Sequence, residues 1–195
     1  KLGDSEGFAT RRKEARARGR CRGSGVANYG DPAPGAPREK VEMTVIPDGA
    51  VEAAIGTVSQ GQGHETTFAQ LVGEWLGVPY DSVRLITGDT ARVSVGGGAH
   101  SGRALRLGSI VMLNASKAII EKGLQIASHI LEADVADLEF AGGNFTVKGT
   151  DRAIGIFQVA AEARRSDDLS EAVRGRIDGE SDVNVDVAGS PYGSH

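Results

Sequence analysis

The fold is decided by residues 41–77, which read VEMTVIPDGAVEAAIGTVSQGQGHETTFAQLVGEWLG. In the first part of this stretch, the apolar residues at 41, 43 and 45 alternate with polar ones, which is the pattern of a half-buried strand. A turn is predicted at Pro47-Asp48-Gly49, because Pro presets φ and Gly accepts a positive φ. Residues 40–59 are therefore predicted to form a β-hairpin.

The second part of the stretch predicts an amphipathic helix behind a short glycine loop. Its apolar side chains recur at i, i+3, i+4, i+7 and i+8 and so share one stripe of the helix: Phe68, Leu71, Val72, Trp75 and Leu76. Gly77 suits the position after the last turn, and Pro79 prevents the helix from continuing.

On either side of this stretch, the sequence predicts strands and hairpins with single helices between them. The expected elements are a charged helix over 6–19, strands over 20–30 and 81–87, a long helix over 105–131, a hairpin over 138–147 and a short helix over 155–162. Hairpins interrupted by single helices are typical of the α+β class, with a mixed sheet and helices packed on it. We expect a single partial domain over residues 1–195, with a basic helix and first strand at 1–40, a core at 41–163 and a polar, loosely structured tail at 164–195.

The composition excludes several classes of protein. The 195 residues are 39% hydrophobic and 25% charged, which is typical of a globular domain. No apolar run reaches the ~20 residues of a membrane helix and no signal peptide is recognisable, so no membrane partner is expected. One Cys and four separated His predict neither a disulfide nor a metal site within the chain.

The charge is distributed unevenly along the chain. Residues 1–40 carry 10 Lys and Arg against 5 Asp and Glu, although the net charge of the whole chain is −4. No aromatic residue interleaves with the basic run at 11–22, and the acidic remainder would repel a phosphate backbone. We expect a solvated helix face or a contact with an acidic surface, and no nucleic acid partner.

Two glycine-rich loops, each in front of a predicted helix, form the candidate ligand site. The chain contains 28 Gly, about double the usual ~7%. The start of a helix has unpaired N–H groups and favours negative charge, and the Gln62 amide can both donate and accept hydrogen bonds. In the second of these loops, Ser101 adds a hydroxyl and Arg103 a cation suited to phosphate. One interpretation is a site for a phosphate-bearing cofactor. The other is that the glycines only shape a corner between strand and helix. The chain has neither a Walker-type phosphate loop nor a Gly-x-Gly-x-x-Gly pattern.

Taken together, these motifs resemble the molybdenum-binding subunit of the xanthine dehydrogenase, aldehyde oxidase and carbon monoxide dehydrogenase family. The resemblance covers most of the chain and rests on the order of Gly-Gln-Gly-His-Glu-Thr-Thr at 61–67, Leu-Gly-Val-Pro at 76–79, Gly-Asp-Thr at 88–90 and the glycine loop at 96–103. That family's second loop usually reads Gly-Thr-x-Gly-Ser-Arg-Ser, whereas residues 98–104 here read Gly-Ala-His-Ser-Gly-Arg-Ala. Backbone contacts in this loop are therefore expected to be retained better than side-chain contacts.

The resemblance implies a molybdopterin cofactor, as the cytosine dinucleotide and with molybdenum, bound by both loops. Gly61, Gln62 and Gly63 would contact its pterin or phosphate portion, and His64 and Thr66 would support this loop. In the second loop, the implied cofactor-binding residues are Gly98, Ala99, His100, Ser101 and Gly102. No catalytic or metal-ligating residue is assigned within the chain, because the family's catalytic glutamate lies in a stretch that these 195 residues do not contain.

The implied activity is that of an oxidoreductase that oxidises a small organic substrate with water-derived oxygen. Its implied partners are the rest of a longer parent subunit, an iron–sulfur subunit and, in some members, a flavin subunit. The isolated fragment is expected to be inactive and free of cofactor, because it supplies only part of one wall of the cofactor site. The residues alone leave two alternatives open: a non-catalytic module that binds a nucleotide or an anion, and a structural or assembly domain.

Overall fold

A computed structural model describes residues 6–30, 36–171, 173–185 and 192–194. The chain divides into two compact units, Lys1–Asp31 with Ser190–His195, and Pro32–Gly189. Both glycine loops lie in the larger unit. Among the described helices, none combines the length and the apolar character needed to cross a membrane.

The elements follow the alternation of hairpins and single helices that the sequence predicts. In chain order they are α1 (Phe8–Ala17), β1 (Asn28–Gly30), β2 (Arg38–Ile46), β3 (Ala50–Ile55), α2 (His64–Leu76), β4 (Val83–Ile86), α3 (Arg103–Ile130), β5 (Leu138–Ala141), β6 (Asn144–Val147), β7 (Ala153–Gly155), α4 (Ile156–Arg165), β8 (Ile177–Asn184) and β9 (Tyr192–Ser194), with short 3₁₀ helices at Tyr80–Ser82 and Val135–Asp137.

The smaller unit contains α1 and one pair of short strands. The basic helix α1 buries Ala15, and β1 pairs antiparallel with β9. The strand predicted over 20–30 is confined to its last three residues. The preceding residues 21–27 are exposed, and without a buried face a longer strand has little to stabilise it.

A four-stranded mixed sheet, in the order β4-β3-β2-β8, forms the centre of the larger unit. β2 and β3 are the predicted hairpin, with Val41 opposite Ile55 and Ile46 opposite Ala50. At its turn, Gly49 has a φ of 96°. β4 runs parallel to β3 and β8 runs antiparallel to β2, so the predicted α+β class with a mixed sheet is confirmed.

One face of this sheet carries the hydrophobic core. Alternate residues of β2 and β3 are buried in one cluster with the apolar stripes of α2 and α3: Val41, Met43, Val45, Val51, Ala53, Ile55, Phe68, Val72, Val111 and Met112. The other face of β2 is polar, and there Lys40 pairs with Glu42 and Glu180 at 2.8 and 2.9 Å. The period of two in the sequence therefore assigns the two faces of β2 correctly.

A smaller antiparallel sheet, β5-β6-β7, contains the predicted hairpin at 138–147. Its residue Phe145 is fully buried and lies on Gly123 of α3, where an added Cβ would overlap with the aromatic ring. This glycine therefore serves the packing of α3 and not a ligand site.

Strand β8 differs from the sequence-based expectation of a loosely structured tail after residue 164. Ile177 to Asn184 form a full strand beside β2, and Leu169 and Val173 before it are buried. The inward positions of β8 include Gly179 and Ser181, so the alternation of apolar and polar residues is too weak to be recognised. Gly179 is required there, because a Cβ would overlap with the backbone of Ala115 in α3.

Candidate cofactor site

The candidate site is formed by two segments that precede helices. We call residues 60–63, between β3 and α2, the first loop, and residues 96–102, before α3, the second loop. Each ends at a left-handed glycine with no side-chain cap on the helix that follows: Gly63 with a φ of 74° and Gly102 with a φ of 65°.

The first loop presents one amide side chain between two open glycines. Gly61 has a φ of 107°, and a Cβ at Gly61 or Gly63 would meet nothing within 4 Å. The exposed Gln62 side chain accepts a hydrogen bond from the Gln60 N–H through Oε1 at 2.6 Å. Its amide oxygen therefore braces the loop, and its NH2 group is left to donate to a ligand.

The two predicted supporting residues, His64 and Thr66, lie in the first turn of α2 and differ in burial. His64 is only 7% exposed and stacks on Phe68 with ring centroids 5.3 Å apart. Its Nδ1 has no hydrogen-bond partner among the residues that the structure describes. Thr66 is exposed, and it is the neighbouring Thr67 whose hydroxyl donates to the Gly63 carbonyl at 3.2 Å.

The second loop has a largely left-handed backbone held by its own side chains. Gly98, Ser101 and Gly102 have φ values of 76°, 53° and 65°. The His100 ring lies 3.0 Å from the Gly97 carbonyl through Nε2 and 3.1 Å from the Ser101 hydroxyl through Nδ1. Because a carbonyl only accepts, Nε2 carries the proton and Nδ1 accepts from Ser101.

Arg103, which the sequence suggests as a cation for phosphate, is instead fully buried. Its NH1 group donates to Glu39 at 2.8 Å and to the Gly98 carbonyl at 2.6 Å. Nε and NH2 donate to the carbonyls of Ala36 and Arg38 at 2.7 and 2.9 Å. The hypothesis of a phosphate-binding Arg103 is wrong for this arrangement, because its charge and its donors are used inside the protein.

Glu39 is the fully buried carboxylate that neutralises Arg103. Burial raises its pKa, while the hydrogen bond and positive charge of Arg103 act in the opposite direction. The pair connects the start of β2 to the start of α3, and it thereby fixes the base of the second loop.

Three contacts hold together the segments that contain or flank the two loops. The Thr57 hydroxyl, just before the first loop, donates to the Gly98 carbonyl at 3.0 Å. Gly56 and Gly96 cross so closely that a Cβ on either would overlap with the backbone of the other segment. In the second turns of both helices, Phe68 lies against Gly108, where an added Cβ would be 2.6 Å from the ring. The loops therefore lie side by side at adjacent helix starts.

Sequence reasoning missed Glu39 and Thr57 as residues that hold the site, and it placed Phe68 on the buried stripe of α2 without its contact to Gly108. Glu39 had one usable signal, because it lies two residues before Val41, in phase with the inward positions of the predicted strand, and a buried carboxylate needs a cation. The partner itself, 64 positions along the chain, carries no local signal.

The chemistry of the site is that of a binding surface. It offers an amide NH2, a hydroxyl and backbone N–H groups at two helix starts, which suit phosphate oxygens and the edge of a heterocycle. Within the described parts of the chain, no group of three or more His, Cys, Asp or Glu is arranged to hold a metal ion.

Sequence comparison supports the resemblance seen in the motifs. Residues 1–194 match the family model of the molybdopterin cofactor-binding domain. The gamma subunit of the 6-hydroxypseudooxynicotine dehydrogenase complex of Paenarthrobacter nicotinovorans is 37% identical over 149 residues, 76% of this chain and 19% of that protein. The carbon monoxide dehydrogenase large chain of Afipia carboxidovorans is 38% identical over 111 residues, 57% of this chain and 14% of that protein.

Comparison with solved structures also finds a carbon monoxide dehydrogenase among the matches. Reconstituted CO dehydrogenase from Oligotropha carboxidovorans matches with a TM-score of 0.74 at 27% identity, over 98% of this chain and 26% of that one. Quinoline 2-oxidoreductase from Pseudomonas putida 86 matches with a TM-score of 0.67 at 26% identity, over the same shares. The chain spans less than a fifth of the two sequence relatives. Because the family model covers almost all of its residues, the chain belongs to the molybdopterin cofactor-binding domain family.

Proposed function

We propose that the two loops together bind the molybdopterin cofactor inside a longer molybdenum hydroxylase. The observation that carries this proposal is the adjacency of the loops, which Thr57 and Gly98 join at the base and Phe68 and Gly108 join at the helices. Two helix starts side by side can receive an extended ligand with more than one anionic group, such as a pterin dinucleotide.

The residues present fit such a ligand in three respects. Open space lies beside Gly61 and Gly63, the Gln62 NH2 group is exposed, and neither loop contains an acidic residue. We infer that Gln62 and the backbone of Gly61 and Gly63 bind the pterin or a phosphate, and that residues 98–102 bind another part of the same molecule.

In the parent enzyme, molybdenum on the bound cofactor would supply the redox chemistry for oxidation of a small organic substrate. This chain's contribution is to bind and orient the cofactor. The cytosine dinucleotide form, iron–sulfur and flavin subunits as partners, and a cytoplasmic location are part of the same proposal, and the family membership supports them.

The first test is Gln62→Glu in the full-length parent. Glutamate keeps an acceptor for the Gln60 N–H, so the loop retains its brace, but it replaces the NH2 donor with a negative charge. We expect a near-normal melting temperature and a cofactor content reduced by tenfold or more, since losing a hydrogen bond and facing an anion cost about 1.5–3 kcal/mol together. Molybdenum analysis and oxidised pterin fluorescence measure the content.

Gln70→Glu is the matched control, because Gln70 is an exposed residue of α2 outside both loops. It should leave the cofactor content unchanged. A Gln62→Glu enzyme with full molybdenum and pterin content would remove the first loop from the cofactor site.

A further inference from the structure

The carbonyl oxygen of Gly98 accepts two hydrogen bonds from inside the protein. Thr57 Oγ1 lies 3.0 Å away and Arg103 NH1 lies 2.6 Å away. Both donor side chains belong to fully buried residues, so this oxygen points into the interior and away from the surface of the second loop.

The next peptide N–H must then point the opposite way. In a planar trans peptide, the C=O of one residue and the N–H of the following residue are antiparallel. The N–H of Ala99 is therefore directed outward, and no residue that the structure describes accepts a hydrogen bond from it. Ala99 is half-buried, so its outward N–H is open to an acceptor from outside the chain.

The donors that hold this peptide are themselves fixed. Arg103 is clamped by Glu39 and by the carbonyls of Ala36 and Arg38, so its NH1 group cannot follow a moving loop. The Thr57 side chain is held by complete burial. Two immobile donors on one oxygen define the orientation of the whole Gly98–Ala99 peptide.

We propose that Thr57 and Arg103 are positioning residues that turn the Gly98 carbonyl inward and thereby present the Ala99 N–H to an acceptor oxygen of the cofactor. This inference rests on the proposed function. If the peptide were reversed, a carbonyl oxygen would face an anionic ligand and repel it. The alanine at position 99 is compatible with this role, because the donor is a backbone group.

Two substitutions at Thr57 test the inference in the full-length holoenzyme. Thr57→Val keeps the volume and removes the hydroxyl, whereas Thr57→Ser keeps the hydroxyl and removes a buried methyl. We expect Thr57→Val to lose cofactor about three- to tenfold faster than the wild type in mild urea, which corresponds to one lost hydrogen bond. Thr57→Ser should retain cofactor like the wild type, although its melting temperature falls.

The pattern of the two variants separates positioning from mere stability. Thr44→Val, on the polar face of β2, is the control and should not change retention. The inference is overturned if Thr57→Val retains cofactor normally, or if Thr57→Val and Thr57→Ser release it at rates that simply follow their melting temperatures. Gln62→Glu tests the cofactor site independently. Normal cofactor retention in Thr57→Val together with a low cofactor content in Gln62→Glu would therefore refute the positioning role and leave the proposed function standing.

Discussion

Replacing Arg103 with methionine should lower the free energy of unfolding at neutral pH by about 3–5 kcal/mol, the usual effect of removing one partner of a buried ion pair. Methionine fills much of the volume, but it leaves the Glu39 carboxylate without its cation, the carbonyls of Ala36 and Arg38 without the Arg103 donor, and the Gly98 carbonyl with only the Thr57 hydroxyl. Urea unfolding of the 195-residue chain measures the loss.

The loss of stability of the same variant, relative to the wild type, should become smaller in mild acid. Burial raises the pKa of Glu39, and Arg103 opposes that shift, so removing Arg103 leaves the pKa raised still further. The folded variant then binds a proton that the unfolded chain does not bind, and its free energy of unfolding increases as the pH falls from about 7 to about 5.

The double variant Glu39→Gln with Arg103→Met is the control for both effects. It contains no buried charge, so part of the stability should return, and the pH dependence that distinguishes Arg103→Met from the wild type should disappear. An Arg103→Met chain whose urea midpoint stays within error of the wild type would show that the pair is not buried as the structure places it.

Adding a methyl group at the crossing of Gly56 and Gly96 should also destabilise the fold strongly. In Gly96→Ala the new Cβ would overlap with the Gly56 backbone, and in Gly56→Ala it would overlap with Val95 and Gly96. The overlap is with backbone on both sides, which cannot move aside as the tip of a side chain can. Overpacked sites usually lose about 1–3 kcal/mol of unfolding free energy, and we expect a loss at or above the upper end of that range. Calorimetry of the chain measures it.

In the parent enzyme, the same substitutions should also release cofactor, because the crossing holds both loops. Gly23→Ala is the control, since its Cβ would meet nothing within 4 Å. A Gly96→Ala enzyme with unchanged melting temperature and cofactor content would contradict the crossing.

The sequence predicts the parts of the fold that have strong local periodicity. The hairpin at 40–59 and helix α2 are confirmed because each repeats apolar residues at its own period, and α3 is confirmed over nearly its whole length. Strand β8 was missed because its inward positions include Gly179 and Ser181, which weaken the apolar alternation. Gly179 is required there by the close approach of α3.

The sequence locates the two loops of the candidate site but not the contacts that join them. Glycines before an apolar stripe locate the two loops, and the motif order identifies the family. The contacts that join the loops are long-range, with 41 positions between Thr57 and Gly98, and they depend on polar groups that look unremarkable in the sequence. For the same reason Arg103 suggests a ligand cation until its buried partner Glu39 is seen.

Hydrogen exchange of the full-length parent, with and without its cofactor, tests the central claim most directly. If both loops contact one bound molecule, the amides of residues 60–64 and 98–102 should become protected together when the cofactor is present, while the amides of the exposed residues 21–27 should exchange equally fast in both forms. Protection of one loop only, or of neither, would contradict a cofactor site built from the two loops.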